Sequence, residues 1–331
     1  MSQTRSDNNA TQKIMLVINP ISGTGNKKEV APAVEQRVSE LGFDLDVRLT
    51  GGRGDATRFA REASDAGYYG VIACGGDGTV NETATALCGS RTALGIIPAG
   101  SGNGLARHLG IPIEPEAAVK IIAENHIVDS DYGSVNGHPF FCTFGVGFDA
   151  AVSGNFARQH RRGKLMYLKS AISEYVKFHP QVYTVSANGQ VLTEKAFLIA
   201  CCNASQYGNN AYIAPTASIT DGLLDITIIH AGNPLNTAMV GVDLFTGYIN
   251  SNTLIHSFRA PSAVIYRQQE GPAHLDGEPV NITETMDIKC HANSLRIFTP
   301  TKEVKFRPII TPIENATRDL LCSITRFFSR I

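Results

Sequence analysis

Net charge is nearly absent from this chain. Its 29 Lys and Arg residues offset 30 Asp and Glu residues, leaving a formal charge of −1. A protein that grips nucleic acid by bulk electrostatics needs a basic surplus to displace counterions, so that class is excluded. Paired cysteine motifs are also missing. The seven cysteines (Cys74, Cys88, Cys142, Cys201, Cys202, Cys290 and Cys322) are scattered, odd in number and never spaced as Cys-x-x-Cys. Neither a zinc site nor a disulfide framework is indicated. Most lie inside apolar runs and read as core thiols of a reducing compartment. No apolar run approaches the ~20 residues that a membrane-spanning helix requires. Met1 to Gln12 are polar and hold no apolar signal core, so they read as a disordered tail, 1–12, without an export signal. There is no internal repeat and no low-complexity segment. These features lead to an expectation of a cytoplasmic protein.

What is present is length and glycine. The 331 residues suffice for two domains with full cores, and 43% hydrophobic content with 31 glycines suits a globular α/β enzyme. The organising stretch is Val71-Ile72-Ala73-Cys74-Gly75-Gly76-Asp77-Gly78-Thr79-Val80-Asn81-Glu82-Thr83. It opens as a short apolar run, the mark of a buried parallel strand. Three glycines stop it, and after Thr79 a helical pattern puts Val80, Ala84 and Leu87 on one face. A strand, a glycine turn and a helix N-terminus together can hold a phosphate. Glycines let backbone N–H groups approach the anion, and the first helical turn adds partial positive charge. Asp77 needs its own explanation beside phosphate: a cation such as Mg2+ between them, or a bond to ribose or to its own loop.

The same grammar recurs on either side. Lys13–Ile18 is a strand, Asn19-Pro20-Ile21-Ser22-Gly23 begins a small-residue loop, and a helix follows from about Glu29 to Leu41 with Gly42 as its stop. Asp44–Leu49 is a strand ending at Thr50. Asp55 then reads as the N-cap of a helix carrying Phe59, Ala60 and Ala63. Ala93–Pro98 is a strand followed by Ala99-Gly100-Ser101-Gly102-Asn103-Gly104-Leu105-Ala106-Arg107. Four loops at strand C-termini (19–23, 50–55, 75–79 and 99–104) make one cleft at one sheet edge the economical arrangement. After Asp129 the pattern turns β-rich. Val135-Asn136-Gly137-His138 is a hairpin signal. A helical stretch covers 165–178, strands flank Asn188-Gly189, and further strands lie near 223–230, 260–267, 272–276 and 285–299, consistent with a sandwich. From Thr311 to the chain end at Ile331, apolar residues recur at helical spacing with arginines opposite. That helix either lies in a membrane surface or packs back on the first domain.

The motif GGDGTVNE resembles the nucleotide loop of the diacylglycerol kinase catalytic-domain family, which includes bacterial soluble lipid kinases and sphingosine kinases and is distantly related to NAD kinases. Asn-Pro-x-Ser-Gly at 19–23, Thr-x-x-x-Gly-Asp-Ala at 50–56 and the loop 98–104 are similar to further family motifs. In the last, Ser101 stands for the family threonine and Asn103 matches, whereas Gly104 replaces the aspartate of many bacterial members. The resemblance implies a two-domain lipid kinase: an α/β nucleotide domain of the NAD-kinase/6-phosphofructokinase type (13–128 plus about 301–331) and a β-rich sandwich that binds lipid (129–300). It implies nucleotide contacts from Asn19, Pro20, Ile21, Ser22, Gly23, Thr50, Gly75, Gly76, Asp77, Gly78, Thr79, Val80, Asn81, Glu82, Ser101, Gly102 and Asn103. Ser218-Ile219-Thr220-Asp221-Gly222-Leu223-Leu224-Asp225 resembles an Asp-Gly-x-Leu-Asp element, which implies a structural Mg2+ held by Asp221 and the carbonyls of Ser218 and Leu223. An ordinary Asp-Gly turn accounts for the same residues. His274-Leu275-Asp276-Gly277-Glu278-Pro279 is similar to the family's Asp-Gly-Glu element, which implies Glu278 as general base with Asp276 as its neighbour, alongside Asp77 among the catalytic groups.

The expected activity is transfer of the γ-phosphate of ATP, with Mg2+, to the hydroxyl of a membrane lipid such as diacylglycerol or a sphingoid base. Lys27, Lys28, Arg53 and Arg107 are candidate phosphate clamps. The expected partners are ATP and lipid at the inner membrane face, and no nucleic acid; a homodimer stays open. NAD kinase, a non-catalytic nucleotide or lipid sensor, and a membrane scaffold using the C-terminal helix are the competing readings.

Overall fold

The computed structural model describes residues 12–22, 30–157, 178–302 and 306–328. The readings placed on the tail 1–11, on Gly23, Lys27 and Lys28, and on the helical stretch 165–177 lie outside the described residues. The first part of the chain builds β1 (Lys13–Ile18), α1 (Val30–Glu40), β2 (Asp44–Leu49), α2 (Asp55–Asp65), β3 (Gly70–Gly75), α3 (Asp77–Leu87), β4 (Ala93–Pro98), α4 (Gly104–His108) and α5 (Pro115–Ala123). The strands pair in parallel in the order β4-β3-β1-β2. Helices cover a parallel sheet, so its inner strands are apolar throughout: β3 and β4 are buried at every residue. Edge strand β2 (Asp-Leu-Asp-Val-Arg-Leu) is polar and largely exposed. Val30, Val34 and Val38 recur at one-turn spacing and form the buried stripe of α1. The corresponding stripe of α2 is Ala56, Phe59, Ala60 and Ala63.

Two boundaries differ from the sequence reading. Helix α3 starts at Asp77, ahead of Thr79, because Gly76 is extended and the chain turns directly into the helix. Asp55 is not the N-cap of α2. Gly54 takes that place in the left-handed conformation at φ 87°, and Asp55 is the first helical residue. Its carboxylate reaches back to accept from the N–H groups of Gly51 (2.8 Å) and Gly52 (3.0 Å).

The second part contains β5 (Ile127–Val135), β6 (His138–Phe140), β7 (Thr143–Gly147), α6 (Phe148–Ala157), β8 (Gln181–Ala187), β9 (Gln190–Cys202), β10 (Leu224–His230), α7 (Pro234–Thr246), β11 (Ile255–Ala260), β12 (Ser262–Arg267), β13 (Gly271–Leu275), β14 (Glu278–Ile282) and β15 (Thr285–Phe298). Asn136 and Gly137 both have positive φ (48° and 83°), as the two-residue hairpin between β5 and β6 requires. The long strand β9 pairs with β8 through its first half and with β7 and β10 through its second. It thereby joins two layers, between which Phe140, Phe144, Val185, Ile199, Ile226, Ile265 and Ile288 form a core of their own.

Strand β15 connects the two parts. It runs antiparallel to β5, and its last residues pair in parallel with β4 through Ile297 and Leu94. Leu295, Ile297 and Phe298 belong to the core of the first part. The β-rich part is thus nested in the chain between α5 and the end of β15. The final helix, α8 (Ile310–Phe328), then returns across both parts. Asn315 donates to the Tyr212 hydroxyl at 2.8 Å, Asp319 pairs with Arg107 at 3.0 Å, and the Cys322 thiol donates to Glu114, just ahead of α5. Asn315, Asp319 and Cys322 face the body of the molecule, while Ile313, Leu320 and Leu321 are exposed together with Glu314, Thr317 and Arg318.

Candidate active site

All four glycine-bearing loops emerge at the C-terminal ends of the parallel strands, and hydrogen bonds join them into one rim. Asn19, just after β1, donates from Nδ2 to Thr79 Oγ1 at 3.1 Å, and its N–H is bound to the Cys74 carbonyl at 3.0 Å. The side-chain oxygen of Asn19 accepts from the N–H of Ile21, and Ser22 Oγ donates to the Asn19 carbonyl, so this loop folds on itself. Pro20 and Ile21 are exposed at its tip. Thr50, buried at the end of β2, donates its N–H to the Ile18 carbonyl at 2.9 Å. Glu82 of α3 accepts from the N–H of Gly54 at 3.0 Å and so binds the loop after β2 to the loop after β3.

Glycine is required on this rim by contact. A β-carbon on Gly75 would overlap Thr79, and one on Gly100 would stand 2.6 Å from Gly76 Cα. The loops after β3 and β4 therefore pack backbone on backbone. Asp77 locks them together: Oδ2 accepts from the N–H of Asn103 at 2.9 Å and Oδ1 from that of Gly104 at 2.7 Å. A β-carbon on Gly102 would lie 2.7 Å from the same carboxylate. Asn103 sits at φ 52°, and its side chain closes the loop by accepting from the N–H of Gly100 and donating to the Gly100 carbonyl. Ser101 and Gly78 are exposed, whereas Val80 points into the core. Gly104 is packed against Cys142, whose Sγ would be 3.3 Å from an added β-carbon. With Cys142 there, the aspartate found at this place in many family members would not fit without movement.

The nested part delivers the Asp-Gly-Glu turn to this rim. Asp276 and Gly277 have positive φ (50° and 84°) and make the two-residue hairpin loop between β13 and β14, with Leu275 opposite Glu278. The Asp276 carboxylate is fully engaged in hydrogen bonds. Oδ1 accepts from the N–H groups of Cys142 (2.7 Å) and Thr143 (2.9 Å), and Oδ2 from the N–H of Phe141 (2.9 Å) and from Asn81 Nδ2 (2.8 Å). Burial pushes its pKa up, opposed by those donors. The bond from Asn81, on the first turns of α3, joins that helix to the turn. Glu278, at the start of β14, is exposed, and its carboxylate accepts no hydrogen bond from a described residue.

Of the four cations that stand out in the sequence, two are described. Arg107 is not available as a clamp: Nε donates to the Gly102 carbonyl (3.0 Å), Nη1 to Asn210 (3.3 Å), and Nη2 pairs with Asp319 (3.0 Å). It braces the loop from behind. Arg53 is exposed beside the rim and bonds to no described residue. Sequence reasoning gives no role to Asp149, Tyr207 or His274. Asp149 lies 3.0 Å from His274 Nε2 and accepts from the Tyr207 hydroxyl at 3.0 Å, all beneath the turn. The only sequence signal is a histidine two residues ahead of the Asp-Gly-Glu element.

The Ser218, Asp221 and Leu223 group stands apart from the rim. Asp221 accepts from the N–H of Leu223 at 3.0 Å and lies 3.7 Å from Arg259. Gly222 donates to Asp131 of β5 at 2.6 Å. The donor set is all oxygen, and no described N–H uses the Ser218 or Leu223 carbonyl. That chemistry suits Mg2+, with Arg259 as a neighbouring positive charge.

An arrangement of this kind, with glycine-bearing loops at the strand ends of a parallel sheet and a carboxylate turn from a β-sandwich bonded to them, suits a nucleotide-dependent phosphotransferase. Family comparison agrees. Residues 13–135 match the diacylglycerol kinase catalytic domain, and residues 142–299 match the YegS C-terminal NAD kinase beta sandwich-like domain. A Pseudomonas aeruginosa protein named "Probable lipid kinase YegS-like" is 32% identical over 87% of this chain and 94% of its own length. A Chromohalobacter salexigens protein of the same name is 34% identical over 76% and 82%. The crystal structure of a Bacillus anthracis protein assigned to the diacylglycerol kinases superposes with a TM-score of 0.76 at 25% identity, covering 90% of this chain and 99% of that one. The chain belongs to the diacylglycerol kinase catalytic-domain family, on its YegS-like branch.

Proposed function

We propose that this protein is an ATP-dependent lipid kinase that phosphorylates the hydroxyl of an amphiphilic lipid in the cleft between the glycine rim and the Asp-Gly-Glu turn. The observation that carries the reading is the 2.8 Å bond from Asn81 to Asp276, which joins the two motifs across the two parts of the chain. Phosphoryl transfer depends on positioning and charge neutralisation. The rim would supply backbone N–H groups and the N-terminus of α3 to the phosphates, and Arg53 a positive charge. Mg2+ on the nucleotide would neutralise the phosphoryl oxygens in flight. Asp77 uses one lone pair of each oxygen on the loop and keeps others for a cation or its water. Asp276 orients the turn, and Glu278 takes the proton from the lipid hydroxyl, a contribution of roughly 100- to 10,000-fold. Asp221, with the Ser218 and Leu223 carbonyls, would hold a second, structural Mg2+ away from the reaction. The lipid would be met at the inner membrane face, where Ile313, Leu320 and Leu321 of α8 offer an exposed apolar stripe.

The test is transfer of labelled γ-phosphate from ATP to diacylglycerol, a sphingoid base, ceramide and phosphatidylglycerol in mixed micelles, with NAD as a further acceptor. Label in one lipid, lost by at least about 100-fold in Glu278→Gln with ATP affinity kept, is the expected result. Label only in NAD would overturn the lipid assignment, and a fully active Glu278→Gln would remove Glu278 from the chemistry. In the same assay Asp221→Asn should raise the Mg2+ concentration needed for half-maximal rate. An unchanged requirement would discard that metal site.

A further inference from the structure

Asp276 fixes one side of the hairpin turn that carries Glu278. The other side rests on a buried polar chain that the reaction as described leaves unused. His274 is buried on β13, with Asp149 beside it at the first turn of α6; their side chains are 1% and 5% exposed. The Gly277 N–H, in the turn itself, donates to His274 Nδ1 at 3.3 Å. With Nδ1 an acceptor, Nε2 carries the proton and donates to Asp149 Oδ2 at 3.0 Å. The Tyr207 hydroxyl donates to the same oxygen at 3.0 Å, and the Ala150 N–H to Oδ1 at 2.8 Å. Gly145, which pairs with His274 across β7 and β13, leaves room for the pair, since a β-carbon there would overlap both side chains.

A buried carboxylate and imidazole are costly to dehydrate, and apolar residues of the same volume would fill the space without that penalty. What they supply here is direction. The chain runs Tyr207, Asp149, His274, Gly277, and ends one residue before Glu278. We propose that His274 is a positioning residue for phosphoryl transfer: held by Asp149 and Tyr207, it fixes the Gly277 peptide and thereby aims Glu278 at the lipid hydroxyl. This rests on the reading of Glu278 as base.

Two isosteric variants separate aiming from mere packing. In His274→Asn the side-chain oxygen falls where Nδ1 stands, so the acceptor for Gly277 is kept. In His274→Gln the amide can still reach Asp149, but no acceptor faces Gly277. His274→Gln should lose about 10- to 30-fold in kcat and His274→Asn no more than about threefold, while KM for ATP and nucleotide affinity stay within about twofold in both, the pattern of an interaction made only in the transition state. Combining His274→Gln with Glu278→Gln should cost nothing beyond Glu278→Gln alone, because both act through one group. Equal losses in the two His274 variants, or parallel losses of nucleotide affinity, would mark a packing role and overturn the proposal. So would multiplicative losses in the double variant. Should His274→Gln not fold, Tyr207→Phe removes one donor from Asp149 and carries the same test, with a kcat loss that vanishes in the Glu278→Gln background. A fully active Glu278→Gln would instead sink the base assignment, whereas an inactive Glu278→Gln beside a fully active His274→Gln would sink only the positioning role.

Discussion

Asp276 and Glu278 are separated by a single glycine and have opposite circumstances. The first is saturated by four donors and the second has none among the described residues. Their spacing in the sequence marks the pair, but not this division, which depends on the backbone of 141–143 arriving beneath the turn. Another residue-scale consequence concerns His108 at the end of α4. Burial lowers its pKa to about 4, and its Nδ1 accepts from the Ser205 N–H at 3.1 Å. The unfolded chain restores the ordinary value of about 6.5, so between the two the unfolded state binds a proton that the folded state refuses. The contribution to stability is whole above pH 6.5 and is lost as pH falls toward 4. Urea unfolding at pH 7 and pH 5 should therefore show the wild type losing on the order of 2 kcal/mol more than His108→Gln. Equal losses would show that another group titrates.

Among the elements, α8 has an unusual orientation. Its polar residues Asn315, Asp319 and Cys322 hold the body of the protein, and its apolar stripe is left in solvent. Replacing Leu320 and Leu321 by serine should cut the fraction floating with anionic liposomes by tenfold or more, since each leucine gives up roughly 1.5–3 kcal/mol of burial. Turnover of a short-chain, water-soluble lipid should be unaffected. Unchanged flotation would mean that this stripe meets something other than lipid. The period-3.6 pattern of residues 311–331 announces the helix but not which side faces inward. That choice is made by Arg107 and Tyr212, far away in sequence. The βα units are legible because apolar strands and glycine stops are local signals. Helix α7, absent from the sequence reading, also carries local signals: Asn233 caps it by accepting from the Asn236 N–H at 2.8 Å, Pro234 opens it, and Gly247 closes it at φ 78°. The link from His274 to Asp149 spans 125 residues and has no local signal.

At the scale of the molecule, the nucleotide part is discontinuous. Leu295, Ile297 and Phe298 complete its core, with the Phe298 ring 3.0 Å from where a β-carbon on Gly70 would stand. An excised segment 12–135 lacks all three. At roughly 2 kcal/mol for each buried side chain it forfeits about 6 kcal/mol, as much as the whole net stability of a marginal domain. It should show no cooperative melt at 25 °C and above by circular dichroism, and a sharp transition from that segment alone would show that β15 is dispensable.

The same nesting dictates an order of events on the ribosome. The glycine-bearing loops of the rim are synthesised first, yet the strand that seals their sheet emerges only after β5 to β14. Until residues 295–298 leave the exit tunnel, the outer edge of β4 stays unpaired and open to other extended chains. The sandwich, wholly contained between, can finish first. The half made earliest waits for the half made later, and nascent chains long enough to contain every loop of the rim are still too short to hold them in place.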